Sequence, residues 1–314
     1  MRYVVTGGAG FIGSNIANYL IRGGHEVTVI DDLFLGSEKN LAEGVNFVRG
    51  SVLDRELVRK LCKDADGVFH EAALSSAPMF LKEPFKAINV DLMGFINVLD
   101  AAKEHGIPVV YASTSSVYNG LEPPHREDME VRPKTFYEYT FLARERYAKL
   151  YFEYFGVSSV ALRYFSVYGP NELHKGKYAN LVSQFIWNVL KGRQPVIFGD
   201  GSQTRDFVYV EDVVRANLLA MDLTSRKERC EVVNVGTGKE TRLKDLVRLI
   251  KEVTGVEINP VYTGRYPKGY VYRTCADPSK ALKLLGFKAR VELKEGVKFM
   301  VKYYKERLKT IEPL

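Results

Sequence analysis

The chain has 314 residues, enough for one large domain or two that share a cleft, and 46% of them are hydrophobic, the proportion of a soluble globular fold. No apolar run approaches the ~18 residues of a membrane span, and the first apolar strand starts almost at Met1, so a cytoplasmic protein with no membrane partner is expected. The net charge of +7 is gathered largely in Lys280 to Lys309, where lysines alternate with apolar residues; this reads as a solvated helix face rather than a nucleic-acid surface. Cys62, Cys230 and Cys275 show neither metal-ligand nor redox-pair spacing, so no zinc site and no disulfide framework are expected.

Taken from the N-terminus, the apolar strand Tyr3–Thr6 turns into a helix, Ile12–Arg22, through three glycines. Gly7 permits the tight turn, Gly10 lets the backbone approach a pyrophosphate, and Gly13 lets helix and strand pack closely, with phosphates at the helix N-terminus. A second apolar strand, Val27–Ile30, ends in Asp31 and Asp32. Carboxylates there accept hydrogen bonds from both hydroxyls of an adenosine ribose and repel a 2′-phosphate, which favours NAD over NADP.

Apolar runs at Val45–Arg49, Gly67–His70, Pro108–Ala112 and Ser158–Leu162 then alternate with helical patterns at Asp54–Cys62, Phe85–His105 and Phe136–Phe155. Strand-helix alternation of this kind requires right-handed crossovers, so the expected fold is α/β, a Rossmann-type doubly wound parallel sheet with ligand at the C-terminal strand ends. After about Tyr164 the rhythm gives way to Gly- and Pro-rich loops with helices at Tyr178–Lys191, Val210–Met221, Leu243–Thr254 and Leu293–Arg307, a smaller interleaved lobe. The expected division is 1–165 plus about 205–235 for the NAD-binding domain, and 166–204 plus 236–314 for a substrate-binding lobe. His70 ends an apolar strand, a place where histidine is commonly a satisfied core residue rather than a catalytic imidazole.

Seven segments in order resemble the extended short-chain dehydrogenase/reductase superfamily, and within it the nucleotide-sugar epimerases. They are Thr6 to Gly13, Val68 to Ala73, Thr114 to Tyr118, Leu162 to Pro170, Gly199 to Asp206, Asn234 to Gly236 and Ala276 to Lys280. The resemblance implies an NAD-dependent UDP-glucose 4-epimerase-like enzyme, a UDP-sugar substrate and a homodimer packed through the helices Phe85–His105 and Phe136–Phe155. For the cofactor it implies Gly7, Gly10, Phe11, Ile12 and Gly13 along the pyrophosphate and Asp31 and Asp32 on the ribose. It adds Ser51, Val52, Ala72, Ala73, Leu74, Tyr137 and Tyr164 along the rest of the cofactor. For the substrate it implies Thr114 on a sugar oxygen, Arg205 and Arg265 on the diphosphate, and Ser166, Asn180, Leu181 and Phe198 around the nucleotide. Guanidinium forks suit phosphate oxygens, and Phe198 offers a flat stacking face.

Tyr137 matches the catalytic tyrosine of the superfamily's Tyr-x-x-x-Lys motif, and Thr114 its hydroxyl partner. A phenol with a pKa of ~10 is a poor base at neutral pH. The superfamily's lysine, one helical turn on, favours the phenolate and grips the nicotinamide ribose; here that position is Phe141. Bringing a phenol from ~10 to ~7 amounts to about 4 kcal/mol. The readings that follow are an active epimerase with another cation such as Arg144 in the role, a slow enzyme, or a cofactor-bound relative without turnover, and beside them an epimerase or reductase acting on another nucleotide sugar. Ser115 and Ser116 stand where dehydratases carry acidic and acid/base side chains, which speaks against dehydration and decarboxylation. Further departures are Ser51 for an acid facing adenine, Ser166 for an asparagine, Asn119 for a glycine and Tyr270 for an aspartate.

Overall fold

A computed structural model describes residues 1–226 and 228–307; residue 227 and the end of the expected second lobe, 308–314, lie outside the described residues. Seven strands form one parallel sheet: β1 (Arg2–Thr6), β2 (Glu26–Asp31), β3 (Asn46–Arg49), β4 (Gly67–His70), β5 (Val109–Thr114), β6 (Ser159–Tyr164) and, much later in the chain, Cys230–Val235. Their order is β3-β2-β1-β4-β5-β6 followed by the late strand, which pairs parallel to β6 from Cys230↔Ser159 to Val235↔Tyr164. The strand order reverses at β1/β4, the switch point at which such sheets bind ligands.

Alternate strand residues feed two cores on opposite faces. Val5, Val29, Phe69, Val110 and Leu162 pack with α1 (Phe11–Arg22) on one side. Val4, Ile30, Val68, Tyr111 and Ala161 pack on the other with α2 (Arg55–Cys62), capped by the Asp54 carboxylate accepting from Leu57 N at 3.0 Å. Burial on both faces is what a parallel sheet covered by crossover helices requires.

The helix expected as Phe85–His105 is instead three pieces. After the short α3 (Ala77–Lys82) come α4 (Pro84–Ile88), a π-type turn over Asn89–Met93, and α5 (Gly94–His105). The wide turn carries the acid Asp91 fully buried, where its Oδ2 accepts from Leu74 N at 2.9 Å. The helix α6 (Phe136–Phe155) is as expected. It starts with a capping box, Thr135 accepting from Glu138 N while the Glu138 carboxylate accepts from Thr135 N, and it ends at Gly156 with φ +72°.

Beyond β6, α7 (Leu181–Leu190) is followed by α8 (Val210–Arg226), which runs past the expected Met221 and joins α1 on the sheet. The late strand Cys230–Val235 is not among the expected elements; Asn and Glu interrupt its apolar run, yet Val233 and Val235 are fully buried. A separate core is made by α7, α9 (Leu243–Thr254) and α11 (Leu293–Arg307), with α10 (Ser279–Leu285) closing the chain back onto the first core.

Candidate active site

The turn after β1 is dictated by its glycines. Gly7 has φ +64°, and a Cβ on it would sit 2.6 Å from Ala72 N; one on Gly13 would sit 2.4 Å from Gly7 O. Neither position tolerates a side chain without moving backbone. Gly10 is different, since a Cβ there would meet Gly7 O alone within 4 Å and would otherwise take up space in the cleft that Gly10 lines. Asp31 braces this turn, accepting from Ala9 N at 3.0 Å and Leu33 N at 2.8 Å, while exposed Asp32 accepts from Phe34 N at 3.0 Å. Burial raises the Asp31 carboxyl above the ordinary range, and the two amides act against that rise.

The cleft runs from this turn along the C-terminal edge of the sheet to α6. Every expected cofactor residue lines it: Gly7, Gly10, Phe11, Ile12, Gly13, Asp31, Asp32, Ser51, Val52, Ala72, Ala73, Leu74, Tyr137 and Tyr164. Thr114, Ser166 and Asn180 line it too. Leu181, Phe198, Arg205 and Arg265 are outside that lining. Arg205 Nη1 donates to Thr204 O at 2.7 Å and to Tyr272 O at 3.2 Å, and its Cζ lies 5.2 Å from the Tyr270 ring, which Phe198 meets edge-on at 6.3 Å. Arg265 is exposed on the following loop.

Tyr137 enters the cleft from the second position of α6. Burial pushes its phenol up to about 12, opposed first by the Thr114 hydroxyl. Its ring is 4.6 Å from that of Phe141 and 5.4 Å from that of Phe80, so an aromatic wall occupies the place where the resemblance expects an ammonium. The helix is anchored by Glu145, which takes a bidentate pair from Arg163 at 2.9 and 2.6 Å and the Ser113 hydroxyl at 2.6 Å, all buried. Arg163 also donates to Tyr118 Oη at 2.7 Å, which donates to Asn234 at 2.8 Å. This network ties α6 to β5, β6 and the late strand, and so fixes where Tyr137 stands.

His70 is fully buried with Nδ1 2.7 Å from Thr6 Oγ1, and burial lowers its pKa well below the ordinary range. Sequence reasoning missed Glu71, which follows β4, lines the cleft and accepts from Tyr164 Oη at 2.7 Å; burial pushes it up to about 8. An acid at a strand's C-terminal end was the available signal. Phe34 and Lys86, whose Nζ is 4.0 Å from the Phe34 ring, also line the cleft. They come from distant loops, and no local pattern joins them. Among the described residues no cluster of His, Cys, Asp and Glu could hold a metal ion, and no helix is long and apolar enough to cross a membrane.

A doubly wound sheet with a glycine turn at its switch point and a tyrosine facing that turn across the cleft defines a Rossmann-type dinucleotide-binding protein. Residues 3–236 match the NAD dependent epimerase/dehydratase family, and the chain belongs to that family. Among solved structures, UDP-glucose 4-epimerase of Thermotoga maritima, solved with UDP-glucose, is 35% identical. It has a TM-score of 0.93 over 98% of this chain and 100% of its own. UDP-glucose 4-epimerase of Thermus thermophilus, solved with NAD, is 32% identical with a TM-score of 0.88, covering 97% and 99%. UDP-N-acetyl-alpha-D-glucosaminuronate decarboxylase of Bacillus cytotoxicus is 30% identical over 318 residues, covering 97% and 98%. Relatives of the same length thus carry out more than one reaction on UDP-sugars.

Proposed function

We propose that this chain is a UDP-sugar 4-epimerase that keeps NAD bound and interconverts UDP-glucose and UDP-galactose. The observation that carries this reading is the convergence of Tyr137 and Thr114 on the cleft whose far end is the glycine turn. Gly7, Gly10, Phe11, Ile12 and Gly13 would cradle the pyrophosphate, and Asp31 and Asp32 the adenosine ribose. Ser51 and Val52 would face adenine, with Ala72, Ala73, Leu74 and Tyr164 flanking the nicotinamide half. The cleft lining at Gly10 and the buried carboxylate at Asp31 suit such a ligand. NAD supplies reversible removal of a hydride from the sugar's C4.

The chain's own residues then handle the proton and the geometry. Tyr137 takes the proton of the sugar 4-hydroxyl and later returns it, while Thr114 orients that oxygen without changing charge. Arg205 and Arg265 hold the diphosphate while the sugar turns its other face, with Ser166, Asn180, Leu181 and Phe198 around the nucleotide. In this reading 1–165 with 205–235 serves the cofactor and 166–204 with 236–314 the substrate. Ser115 and Ser116 beside Thr114 carry no charge, which favours epimerisation over decarboxylation. The exposed faces of α4 and α6, with Phe85 81% and Tyr154 76% exposed, suit packing against a second copy, as a homodimer.

Incubation with UDP-galactose and no added NADH tests the reading. UDP-glucose should appear at equilibrium, whereas net accumulation of NADH would mark a dehydrogenase instead. Phe141 favours one second reading, a nucleotide-sugar-binding protein without turnover, in which case NAD copurifies and neither sugar nucleotide is converted.

A further inference from the structure

Behind the Tyr137 ring lies a buried charge that the proposed reaction leaves unused. Arg144, two turns on along α6, is fully buried, and its Nε, Nη1 and Nη2 donate no hydrogen bond among the described residues. Its guanidinium lies against rings: Cζ is 4.9 Å from the centroids of both Phe95 and Phe141 and 5.8 Å from that of Tyr111. Phe141 is in turn 4.6 Å from Tyr137, so phenol, phenyl and guanidinium follow one another along the inner face of α6. The acid that faces Arg144 is Asp91, from the π-type turn, and it comes to 3.9 Å, too far for a hydrogen bond. Its Oδ1 also has no hydrogen-bond partner among the described residues.

We propose that Arg144, acting across the intervening Phe141 ring, is the cation that favours the Tyr137 phenolate in this chain, and that Asp91 sets how much of that charge the phenol feels. This rests on the epimerase reading of Tyr137. Burial lowers the Arg144 guanidinium while Asp91 pulls it back up, but a guanidinium stays protonated over the whole working range, and inside the fold its field is screened by salt much less than at the surface. Burial pushes Asp91 up to about 7 against the pull of Arg144, so near neutrality its carboxyl is partly neutral; once ionised it weighs on the Tyr137 phenol more than Arg144 does, and Glu138 on α6 adds to it. The other groups facing Arg144 are His70 and Glu71 at the end of β4, Tyr111 on β5, Tyr164 on β6 and Tyr137 itself. His70 is held neutral and Glu71 is pushed up to about 8, so these two leave the balance to Asp91. Arg144 touches no reacting atom, and is a positioning residue that works through Tyr137.

Titration of Tyr137 in the purified, NAD-loaded protein tests this, using isotope-labelled tyrosine and assigning the ring signal by its loss in Tyr137→Phe. Arg144→Met should raise the phenol's midpoint by about one unit or more, Asp91→Asn should lower it, and Arg144→Lys should leave it nearly in place. The kcat for UDP-galactose at neutral pH should fall roughly tenfold in Arg144→Met with KM unchanged, and rise in Asp91→Asn. If Arg144→Met does not fold, Asp91→Asn with Arg144→Met removes both buried charges, and its midpoint should lie above that of Asp91→Asn alone. A midpoint that stays put when Arg144→Met is introduced, alone or on top of Asp91→Asn, overturns the proposal even if the enzyme turns over. Midpoints that move as stated in a protein that converts no sugar nucleotide support the coupling and overturn the epimerase reading instead.

Discussion

At the glycine end of the cleft the backbone does the positioning, whereas at the α6 end buried side chains do. The turn after β1 presents its backbone to the cleft, and the carboxylate beside it, Asp31, braces Ala9 and Leu33. Across the cleft, Tyr137 is set by the packed rings of Phe80 and Phe141 and a hydrogen-bonded Glu145–Arg163 pair, with the buried Arg144 two turns away. Backbone sites have few ways to vary, because a Cβ at Gly7 or Gly13 collides at once. A side-chain site can lose its expected lysine and keep its shape, since Phe141 is buried, with 3% of its surface exposed, and packs with Leu74, Met79 and Phe80.

If the two ends are separable, chemistry can be removed without touching the cofactor. Tyr137→Phe should cut kcat about 10²–10⁴-fold while copurified NAD stays at the parent level. Loss of NAD in that variant would show that the Tyr137 hydroxyl also holds the cofactor, so that the two ends are not separable. The next effect belongs to stability. Glu145→Ala leaves Arg163 buried without its partner and frees Ser113, which should cost about 3–5 kcal/mol in urea unfolding. A change below about 1 kcal/mol would mean that α6 is anchored mainly by its apolar contacts. Gly13→Ala acts at the opposite end, where the added Cβ meets Gly7 O; about 1–3 kcal/mol should be lost together with most of the bound NAD.

The same contrast governs what could be read before the structure. Strands β1 to β6, the glycine turn and α6 were legible because each rests on local spacing, and each appears within a residue or two of its expected bounds. The absence of lysine at 141 was equally legible. What stands behind it was not, because Asp91, Arg144, Phe95 and Tyr111 come from four elements and meet only through the fold. Helical periodicity runs smoothly over Phe85 to His105, and nothing in it announces the π-type turn that buries Asp91. The residues proposed for the substrate are legible by resemblance more than by pattern: Arg205 and Phe198 gather around Tyr270, in a loop whose aromatic residues follow no helical or strand period.

The smallest expected effect lies at the seam between the two ends. Glu71 follows β4 between the glycine turn and α6, accepts the Tyr164 hydroxyl, and Tyr164 in turn accepts from Asn217 Nδ2 at 2.8 Å. Burial raises this carboxyl to about 8, with Tyr164 and Arg144 pulling the other way. In the unfolded chain a glutamate titrates near ~4.3, so between that pH and about 8 the folded protein holds a proton that the unfolded chain has released. The Glu71 contribution is therefore fully favourable below the unfolded value and declines as pH rises toward the folded one. Glu71→Gln cannot titrate and keeps an acceptor for Tyr164, so its urea midpoint should fall less between mildly acidic and mildly alkaline pH than that of the parent. Parallel declines in the two proteins would place the pH dependence elsewhere, with Asp91, which burial raises in the same direction, as the next residue to test.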